Sequence, residues 1–434
     1  MLDEAAGHVL AVVTARLDDR SRERYQLALT GSPPRIAEPG EGSWRALAVA
    51  MAEGRTTPAL PADPERPDVS AALVCRPGVA MPPDGPGPER DLGADQSNTS
   101  VVLGDDVLLK AYRRLLPGLN PDLEMTAFLS EQARFTAVPP LAGYAELVEA
   151  RHDPTTIAMA QAFVADGADA YEWLAETLTG WLLAPGAVSV EHATEVAADL
   201  GALTAGLHVA VAGDPRGHGL PEMAPRPATR PEIRGWAERA GTNLDRAGDV
   251  VPRGSEAAAT LRDLAPRIAA ALTALDATSA LPEVVRAHGD LHLGQVLIAP
   301  DGYRIIDFEG EPLSAPEERR RHRHPLRDVA SMLRSLDHVG RSAGRRAEER
   351  AGGPLPDPGL DLPDWLRRAR ERFLEAYRDG LAAERVWVDL DPALLLAFEV
   401  DKELYEFAYA ATYLPSWLWA PTEGMRGLFP EGAA

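Results

Sequence analysis

The chain has 434 residues, 45% of them hydrophobic, and a formal net charge of -22 from 44 basic and 66 acidic residues. This length exceeds what one hydrophobic core usually serves, and this hydrophobic content excludes general disorder, so two or three subdomains are expected. The negative charge argues against nucleic acid and anionic membrane surfaces as partners. Cys75 is the only cysteine, which excludes an intrachain disulfide and favours a cytoplasmic setting.

The N-terminal segment predicts a small irregular subdomain. Its apolar patch from His8 to Val13 is too short for a signal peptide or a membrane-spanning helix. The section from Gly31 to Leu92 is rich in Pro and Gly and has only short apolar runs. We therefore expect an N-terminal cap subdomain at residues 1–93, followed by a small lobe at 94–168.

The small lobe opens with a predicted hairpin over Thr99 to Tyr112. Lys110, in its second strand, is a candidate for contacting ATP phosphates, although a solvent-facing strand lysine would fit the same pattern. Glu124 lies in the helix predicted after Asn120-Pro121-Asp122 and is the expected ion-pair partner of Lys110. No Gly-x-Gly-x-x-Gly loop precedes the hairpin, so backbone amides and small polar side chains would cover the phosphates. These side chains are Ser97, Asn98, Thr99 and Ser100.

An apolar run from Thr156 to Val164 predicts the last strand of the small lobe, and Val164 to Asp169 predicts a hinge. In such a plan adenine would lie against the backbone of Gln161, Phe163 and Val164, although a fully buried strand explains these residues equally well. From Ala170 onward the pattern is mostly helical. Sheet first and helices later predict an α+β, bilobal protein-kinase-like fold with a helical large lobe at 169–434.

The large lobe contains the strongest chemical signal of the chain. Asp290 precedes a predicted hairpin, where a carboxylate can accept the proton of an attacking hydroxyl. Gln295 follows five residues later, at the interval at which kinases carry a magnesium-binding amide, and Asp307, after the second strand, is the main carboxylate ligand expected for magnesium. Each residue alone would more often be structural; together they predict phosphoryl transfer. His288 is expected to be a buried histidine that braces the loop.

The sequences Asp-Leu-His-Leu-Gly-Gln at 290–295 and Asp-Phe-Glu-Gly-Glu-Pro at 307–312 resemble motifs of actinobacterial maltokinases and maltokinase-like sugar kinases. These enzymes belong to the aminoglycoside-phosphotransferase-like kinases, and the resemblance covers most of the chain after Gly93. It implies a cap subdomain, a kinase small lobe and a helical large lobe. Residue by residue, it implies Asp290 as the base, Gln295 and Asp307 as magnesium ligands and Lys110 as the phosphate contact. Glu309 would support the metal site or the acceptor, or be simply an exposed carboxylate.

The chain departs from the maltokinase pattern after Tyr405-Glu406, where a Glu and an Arg are absent and Tyr413 and Trp419 are present. This departure suggests a changed acceptor, and the same family includes glucosamine kinases. Carboxylates on the helix that carries Asp401 and Glu406 could bind a monosaccharide ammonium, although an acidic helix is usually solvated surface. The full set of expected acceptor residues is Asp290, His292, Glu309, Asp401, Lys402, Tyr405, Glu406, Trp417 and Trp419.

These observations predict an ATP- and Mg²⁺-dependent sugar kinase in which Asp290 orients a sugar hydroxyl toward the γ-phosphate. Glucosamine, phosphorylated at its primary hydroxyl, is the first expected acceptor. Maltose, phosphorylated at its anomeric carbon, is the second, and an aminoglycoside is the third. A catalytically silent kinase fold that senses nucleotide or serves as a scaffold is the alternative from another class. A monomer is favoured, and the basic stretch from Glu317 to His324 is expected to be a solvated loop.

Overall fold

The computed structural model describes two compact units, which consist of residues 1–167 with 299–309 and residues 168–298 with 310–434. Within these units the described residues are 7–18, 20–59, 71–93, 98–150, 152–184, 186, 188–212, 223–277, 281–312, 314, 316–355, 358–386, 388 and 390–430.

The first unit is built mainly from strands. They are β1 (Val9–Arg16), β2 (Arg22–Thr30), β3 (Arg35–Ile36), β4 (Thr56–Pro58), β5 (Ala71–Pro77), β6 (Glu89–Asp91), β7 (Thr99–Leu103), β8 (Val107–Ala111), β9 (Arg114–Leu115), β10 (Leu141–Glu149) and β11 (Thr155–Ala162). Its helices are α1 (Ser43–Ala52) and α2 (Pro121–Ala127), the second of which continues into a π-helical turn at Phe128–Gln132.

These strands form two sheets. β1, β2, β3 and β9 form one, and the other has the order β4-β5-β10-β11-β8-β7-β6. Strands from both sides of the predicted boundary near Gly93 share the second sheet, because β4, β5 and β6 precede Gly93 while β7, β8, β10 and β11 follow it. The core of the unit lies between this sheet and α1, whose Leu47 and Met51 are fully buried. The domain limits at 93 and 168 stay predictions.

The second unit is mostly helical. It contains β12 (Ala168–Asp169), α3 (Ala170–Leu183), α4 (Val190–Ala193), α5 (Glu195–Ala212), β13 (Arg226–Pro227), α6 (Arg230–Val250), α7 (Glu256–Leu272), α8 (Ala274–Ala277), β14 (Glu283–Val284), β15 (Val296–Ala299), α9 (Pro316–Arg319), α10 (Leu326–Ala351), α11 (Leu362–Ala383), α12 (Pro392–Tyr413) and α13 (Trp419–Leu428). Two short 3₁₀ turns lie at Leu293–Gln295 and Pro415–Trp417. The strand β16 (Gly302–Ile305) follows β15 after a turn at Pro300-Asp301 and belongs to the first unit.

Helices α5 and α11 pack closely, because Gly201 has no side chain. A Cβ at Gly201 would lie 2.3 Å from the carbonyl oxygen of Phe373, so a larger residue would separate the two helices. Residues Val190–Ala212 are long and apolar enough to cross a membrane by length and composition alone. Within the unit this segment packs against α11, with Leu200 and Leu207 fully buried, as a core helix does.

Candidate active site

One half of the candidate site is a lysine and carboxylate cluster in the first unit. The Nζ atom of Lys110 lies 3.0 Å from Asp122 Oδ2, 2.7 Å from Asp307 Oδ1 and 2.5 Å from Glu309 Oε1. Burial alone would lower the pKa of Lys110, but the three carboxylates raise that pKa well above its usual value. Lys110 is therefore a fixed cation. Asn98, from the predicted phosphate loop, donates a hydrogen bond of 2.8 Å to Glu309.

Local structure explains how these groups meet. In β8 the side chains alternate, so that Leu109 and Ala111 are buried in the core while Lys110 lies on the opposite face of the strand. Asn120 caps α2 and accepts a hydrogen bond from the backbone N–H of Asp122. Asp122 accepts a further hydrogen bond of 3.0 Å from the N–H of Phe308, which holds the residue after Asp307 in place.

Asp307 has a φ of 65°, in the left-handed region that non-glycine residues rarely adopt. Strain of this kind persists where surrounding contacts fix a functional group, and here Lys110 supplies such a contact at 2.7 Å.

The same three carboxylates fit a divalent cation. One oxygen each of Asp122, Asp307 and Glu309 lies within 4.8 Å of the other two. Burial raises the pKa of Glu309, and the neighbouring carboxylates of Asp307 and Asp122 raise it further, while Lys110 opposes them. A bound Mg²⁺ would relieve this repulsion, and oxygen donors are the ligands it prefers. The sequence identified Asp307 and only weakly suggested Glu309; it missed Asp122, although the helix-capping motif that carries it was recognised.

The other residues predicted for the nucleotide are placed as follows. Ser97 lies outside the described residues, Thr99 and Ser100 begin β7, and Ser100 lies opposite Lys110 in the sheet register. Glu124 is buried in α2, two residues after Asp122, and its pairing with Lys110 stays a prediction. In the segment predicted to contact adenine, which is formed by Gln161, Phe163 and Val164, the N–H of Phe163 already donates to Asp106 at 2.7 Å. Any adenine contact there would therefore use other backbone groups.

The second half of the site surrounds Asp290 in the second unit. Asp290 Oδ1 accepts a hydrogen bond of 2.9 Å from Lys402 Nζ, and Oδ2 lies 3.9 Å from His292 Nε2. Burial would raise the pKa of Asp290, but the charge of Lys402, followed by the effect of the nearby His292, lowers it to about 2. Asp290 is consequently ionised throughout the neutral range. Lys402 also lies 2.9 Å from Glu406.

His292 completes the immediate surroundings of Asp290. Its Nδ1 accepts a hydrogen bond of 3.1 Å from the N–H of Gly294, and burial lowers its pKa. A neutral ring that accepts at Nδ1 carries its proton at Nε2, the atom that faces Asp290.

The loop that carries His288, Gly289 and Asp290 is braced by Asp328 at the start of α10. Its carboxylate accepts hydrogen bonds from the N–H of His288 at 2.8 Å and of Gly289 at 2.9 Å, and His208 lies 3.2 Å away. Gly289 has a φ of 88°, which a non-glycine residue rarely adopts. His288 is buried and accepts from the N–H of Asp290 at 3.3 Å. The predicted bracing role of His288 is confirmed.

Replacing Asp328 by Ala should loosen this loop. The buried N–H of His288 would lose its acceptor, which costs roughly 1–3 kcal/mol in the free energy of unfolding, and the half-buried N–H of Gly289 would lose its acceptor as well. We also expect a fall in kcat of about tenfold or more, because a small displacement of Asp290 weakens its positioning. Urea unfolding followed by circular dichroism, combined with steady-state kinetics, tests both effects; unchanged stability would contradict the bracing role. Asp361→Ala, which removes an exposed helix cap at the start of α11, is a control for a generic loss of stability.

The acidic residues of α12 are not solvated surface. Glu399, Asp401 and Glu403 are all buried. Asp401 is held by Arg239 at 3.0 Å, Arg327 at 3.4 Å and Asn243 at 2.7 Å. These three partners occupy the carboxylate oxygens of Asp401, as expected for a structural residue. The side chain of Glu406, by contrast, remains partly exposed beside Lys402.

The two tryptophans predicted to stack on a sugar lie together after α12. Their ring centroids are 5.1 Å apart, and Trp417 also meets the rings of Tyr171 and His338. The guanidinium of Arg345 lies 4.3 Å from the ring centroid of Trp419. Both rings are partly exposed, and their role in binding a sugar stays a prediction.

The expectation of a solvated loop at 317–324 is wrong at its end. Arg323 and His324 are buried, and Arg323 exchanges two backbone hydrogen bonds with Val285, of 2.8 and 3.0 Å. This pairing joins the stretch to the segment that leads into the catalytic loop. Arg321, by contrast, is exposed and pairs with Glu318 at 2.5 Å.

The first unit thus holds a cation among carboxylates that can bind a metal, and the second unit holds an ionised, braced aspartate. Asp290 and Gln295 belong to the second unit and Asp307 to the first, and their convergence on one triphosphate stays a prediction. Such groups are those that phosphoryl transfer requires. Residues 89–385 match the model of the phosphotransferase enzyme family. The chain belongs to this family, and the predicted protein-kinase-like α+β fold is confirmed.

Two relatives with similarity over most of the chain narrow the class. The chain is 32% identical over 434 residues to a glucosamine kinase of Streptacidiphilus jiangxiensis, which covers 99% of this chain and 91% of the relative. It is 30% identical over 346 residues to a glucosamine kinase of Mycolicibacterium smegmatis, covering 80% of this chain and 81% of the relative. A solved glucosamine kinase in complex with glucosamine, ADP and inorganic phosphate is 29% identical, with a TM-score of 0.76 and coverage of 99% and 92%.

Proposed function

We propose that this protein is an ATP-dependent kinase that transfers the γ-phosphate to the primary hydroxyl of D-glucosamine, which yields glucosamine 6-phosphate. The observation that carries the proposal is the 32% identity across 99% of the chain with a glucosamine kinase. The first preference drawn from the sequence, glucosamine ahead of maltose, agrees with it.

The described residues have the chemistry that this reaction needs. Lys110 would contact the phosphates, since its three carboxylate partners keep it charged. Asp307 and Glu309, with Asp122 and the amide of Gln295, would hold Mg²⁺, which neutralises phosphate charge during transfer.

Asp290 would accept the hydroxyl proton. A carboxylate with a pKa of about 2 is a weak base, so its main contribution is to orient the hydroxyl. This suits phosphoryl transfer, in which positioning and electrostatics dominate.

For the ammonium of glucosamine we favour Glu406 over Asp401. The carboxylate of Asp401 is enclosed by two arginines and an asparagine, whereas the side chain of Glu406 is 19% exposed. Tyr405, His292, Trp417 and Trp419 would complete the acceptor site, with Tyr405 already stacked against Tyr409 at a centroid distance of 6.2 Å.

A panel of acceptors tests the proposal. ADP release measured with glucosamine, glucose, maltose, N-acetylglucosamine and kanamycin should give the highest kcat/KM with glucosamine, by about tenfold or more over glucose. N-acetylglucosamine lacks the positive charge and is the matched control for recognition of the ammonium. Phosphorus NMR of the product should place the phosphate on the primary hydroxyl. A higher kcat/KM with maltose would overturn the assignment, and nucleotide binding without turnover of any sugar would favour the scaffold alternative.

A further inference from the structure

The basic residues of this chain are almost all arginines. Of the 44 basic residues only two are lysines, Lys110 and Lys402, and all the others are arginines. A chain with this composition uses arginine wherever a generic positive charge suffices. A lysine that remains therefore marks a place where a compact ammonium is needed and a planar guanidinium does not fit the requirement.

Both lysines lie among carboxylates at the two halves of the candidate site. Lys110 contacts three carboxylates in the first unit. In the second unit Lys402 lies 2.9 Å from Asp290 Oδ1 and 2.9 Å from Glu406 Oε1, with its side chain only 8% exposed. Its Nζ is also 4.7 Å from the centroid of the Tyr405 ring. Lys110 has an expected role with ATP phosphates, whereas Lys402 has no assigned chemical role beyond the broad prediction that it belongs to the acceptor site.

We propose that Lys402 is a positioning residue for the transfer step, whose ammonium holds Oδ1 of Asp290 so that Oδ2 is the atom presented to the sugar hydroxyl. This inference rests on the proposed function, because it assumes that Asp290 is the base. A carboxylate free to rotate offers two equivalent oxygens in many orientations. Fixing one oxygen by a charge-assisted hydrogen bond leaves the other in a defined direction.

The contacts of Lys402 make it suited to this role. It is anchored on α12, one turn from Glu406, whose Oε1 lies 2.9 Å from the same ammonium. The charged and titratable groups around Asp290 are Lys402, Glu406, Tyr405 and Tyr409 of α12, His288 and His292 of its own loop, and Glu311. Among these, Lys402 makes the charge-assisted hydrogen bond to Asp290.

A second consequence concerns protonation. Lys402 stays charged because Asp290 and Glu406 raise its pKa well above the usual value against the effect of burial. In return Lys402 lowers the pKa of Asp290. Removing the charge must raise the pKa of Asp290, since burial then acts with less opposition. The ionised form of Asp290 is the active one. As the pH is lowered, a variant without this charge would therefore lose activity at a higher pH than the wild type does.

Two substitutions separate charge from geometry. Lys402→Gln keeps a hydrogen-bond donor and removes the charge, whereas Lys402→Arg keeps the charge and changes the shape. For the Gln variant we expect kcat to fall by about tenfold to hundredfold, with the acid limb of the kcat profile moved up by at least about one pH unit. For the Arg variant we expect a similar fall in kcat, because a guanidinium cannot bridge Asp290 and Glu406 in the same compact arrangement. Its acid limb should stay where it is in the wild type, because the positive charge beside Asp290 is kept.

The experiment is the pH dependence of kcat for glucosamine phosphorylation by the full chain, with circular dichroism at each pH to mark where each protein unfolds. Arg370→Gln is the matched control. It removes the ion pair between Arg370 of α11 and Glu399, which lies on the same helix as Lys402, and neither residue is among the groups that shift the pKa of Asp290. This variant should keep the wild-type profile. A Gln variant with the wild-type acid limb, or an Arg variant with wild-type kcat, would overturn the proposal. If the Gln variant does not fold, the Arg variant decides the outcome through its kcat. A wild type that releases no ADP with any sugar would instead refute the proposed function.

Discussion

Replacing Asp290 by Asn is expected to lower kcat for glucosamine phosphorylation by about 10³-fold, within the range measured for the loss of a general base. An amide can neither accept the hydroxyl proton nor orient the hydroxyl as a charged carboxylate does, yet its oxygen can still accept the hydrogen bond that Lys402 now donates to Oδ1 at 2.9 Å. The fold should therefore persist, and the KM for ATP should change little, since Lys110 and its carboxylates belong to the other unit. ADP release at saturating ATP and glucosamine measures the effect.

Asp301→Asn is the matched control for this substitution. Asp301 lies in the turn before β16, its side chain is 72% exposed, and its pairing with Arg304 is a surface interaction of little expected energetic value. The control should keep wild-type kcat. An Asp290→Asn enzyme with kcat within about threefold of the wild type would remove Asp290 from the base role.

The sequence was most informative where function depends on residues close together in the chain. The interval from Asp290 to Gln295, the strands on both sides of the turn at Asp301 and the capping motif at Asn120 are all local patterns. Each follows from rules on turns, strands and caps that act over a few residues. For the same reason the order of a sheet-rich unit and a helical unit could be predicted, because periodicity changes from two to 3.6 residues along the chain.

Contacts between distant segments could not be predicted in this way. The sequence predicted Glu124 as the partner of Lys110 and did not predict the contact with Asp122, because the direction of a side chain from a short helix depends on how that helix docks on the sheet. Likewise the sequence left the acidic side chains of α12 as either acceptor-binding groups or solvated surface, whereas Glu399 and Glu403 are buried and pair with Arg334 of α10. A single sequence states which charges exist but not which are paired, since pairing depends on tertiary packing.

One signal within the sequence could have identified these distant residues as parts of the candidate site. The two lysines of an otherwise arginine-based chain mark both halves of the candidate site. A residue type that is rare in a chain can thus identify positions at which the common residue of the same charge, here arginine, does not serve.

Replacing Lys110 by Met is the other change expected to have a large effect, and kcat/KM for ATP should fall by at least about 10²-fold. Lys110 is the cation nearest to Asp122, Asp307 and Glu309 in the described part of the first unit, at 3.0, 2.7 and 2.5 Å. Without it, three carboxylates remain together, which repel a triphosphate and raise the pKa of Glu309 further. Extra Mg²⁺ should then restore part of the binding but not of kcat, because the metal neutralises the carboxylates without replacing the ammonium.

Titration of ATP at several Mg²⁺ concentrations measures both parts of this prediction for Lys110. Lys110→Arg should also be strongly impaired, since a guanidinium cannot place one point charge within reach of all three carboxylates. Arg24→Met, which removes the ion pair between Arg24 and Glu149 of the same unit at 2.7 Å, is the control for a generic effect of lost charge and should keep the wild-type kcat/KM. If Lys110→Met kept kcat/KM for ATP within about threefold of the wild type, the lysine would be a structural member of a carboxylate cluster and the phosphates would have to be bound elsewhere.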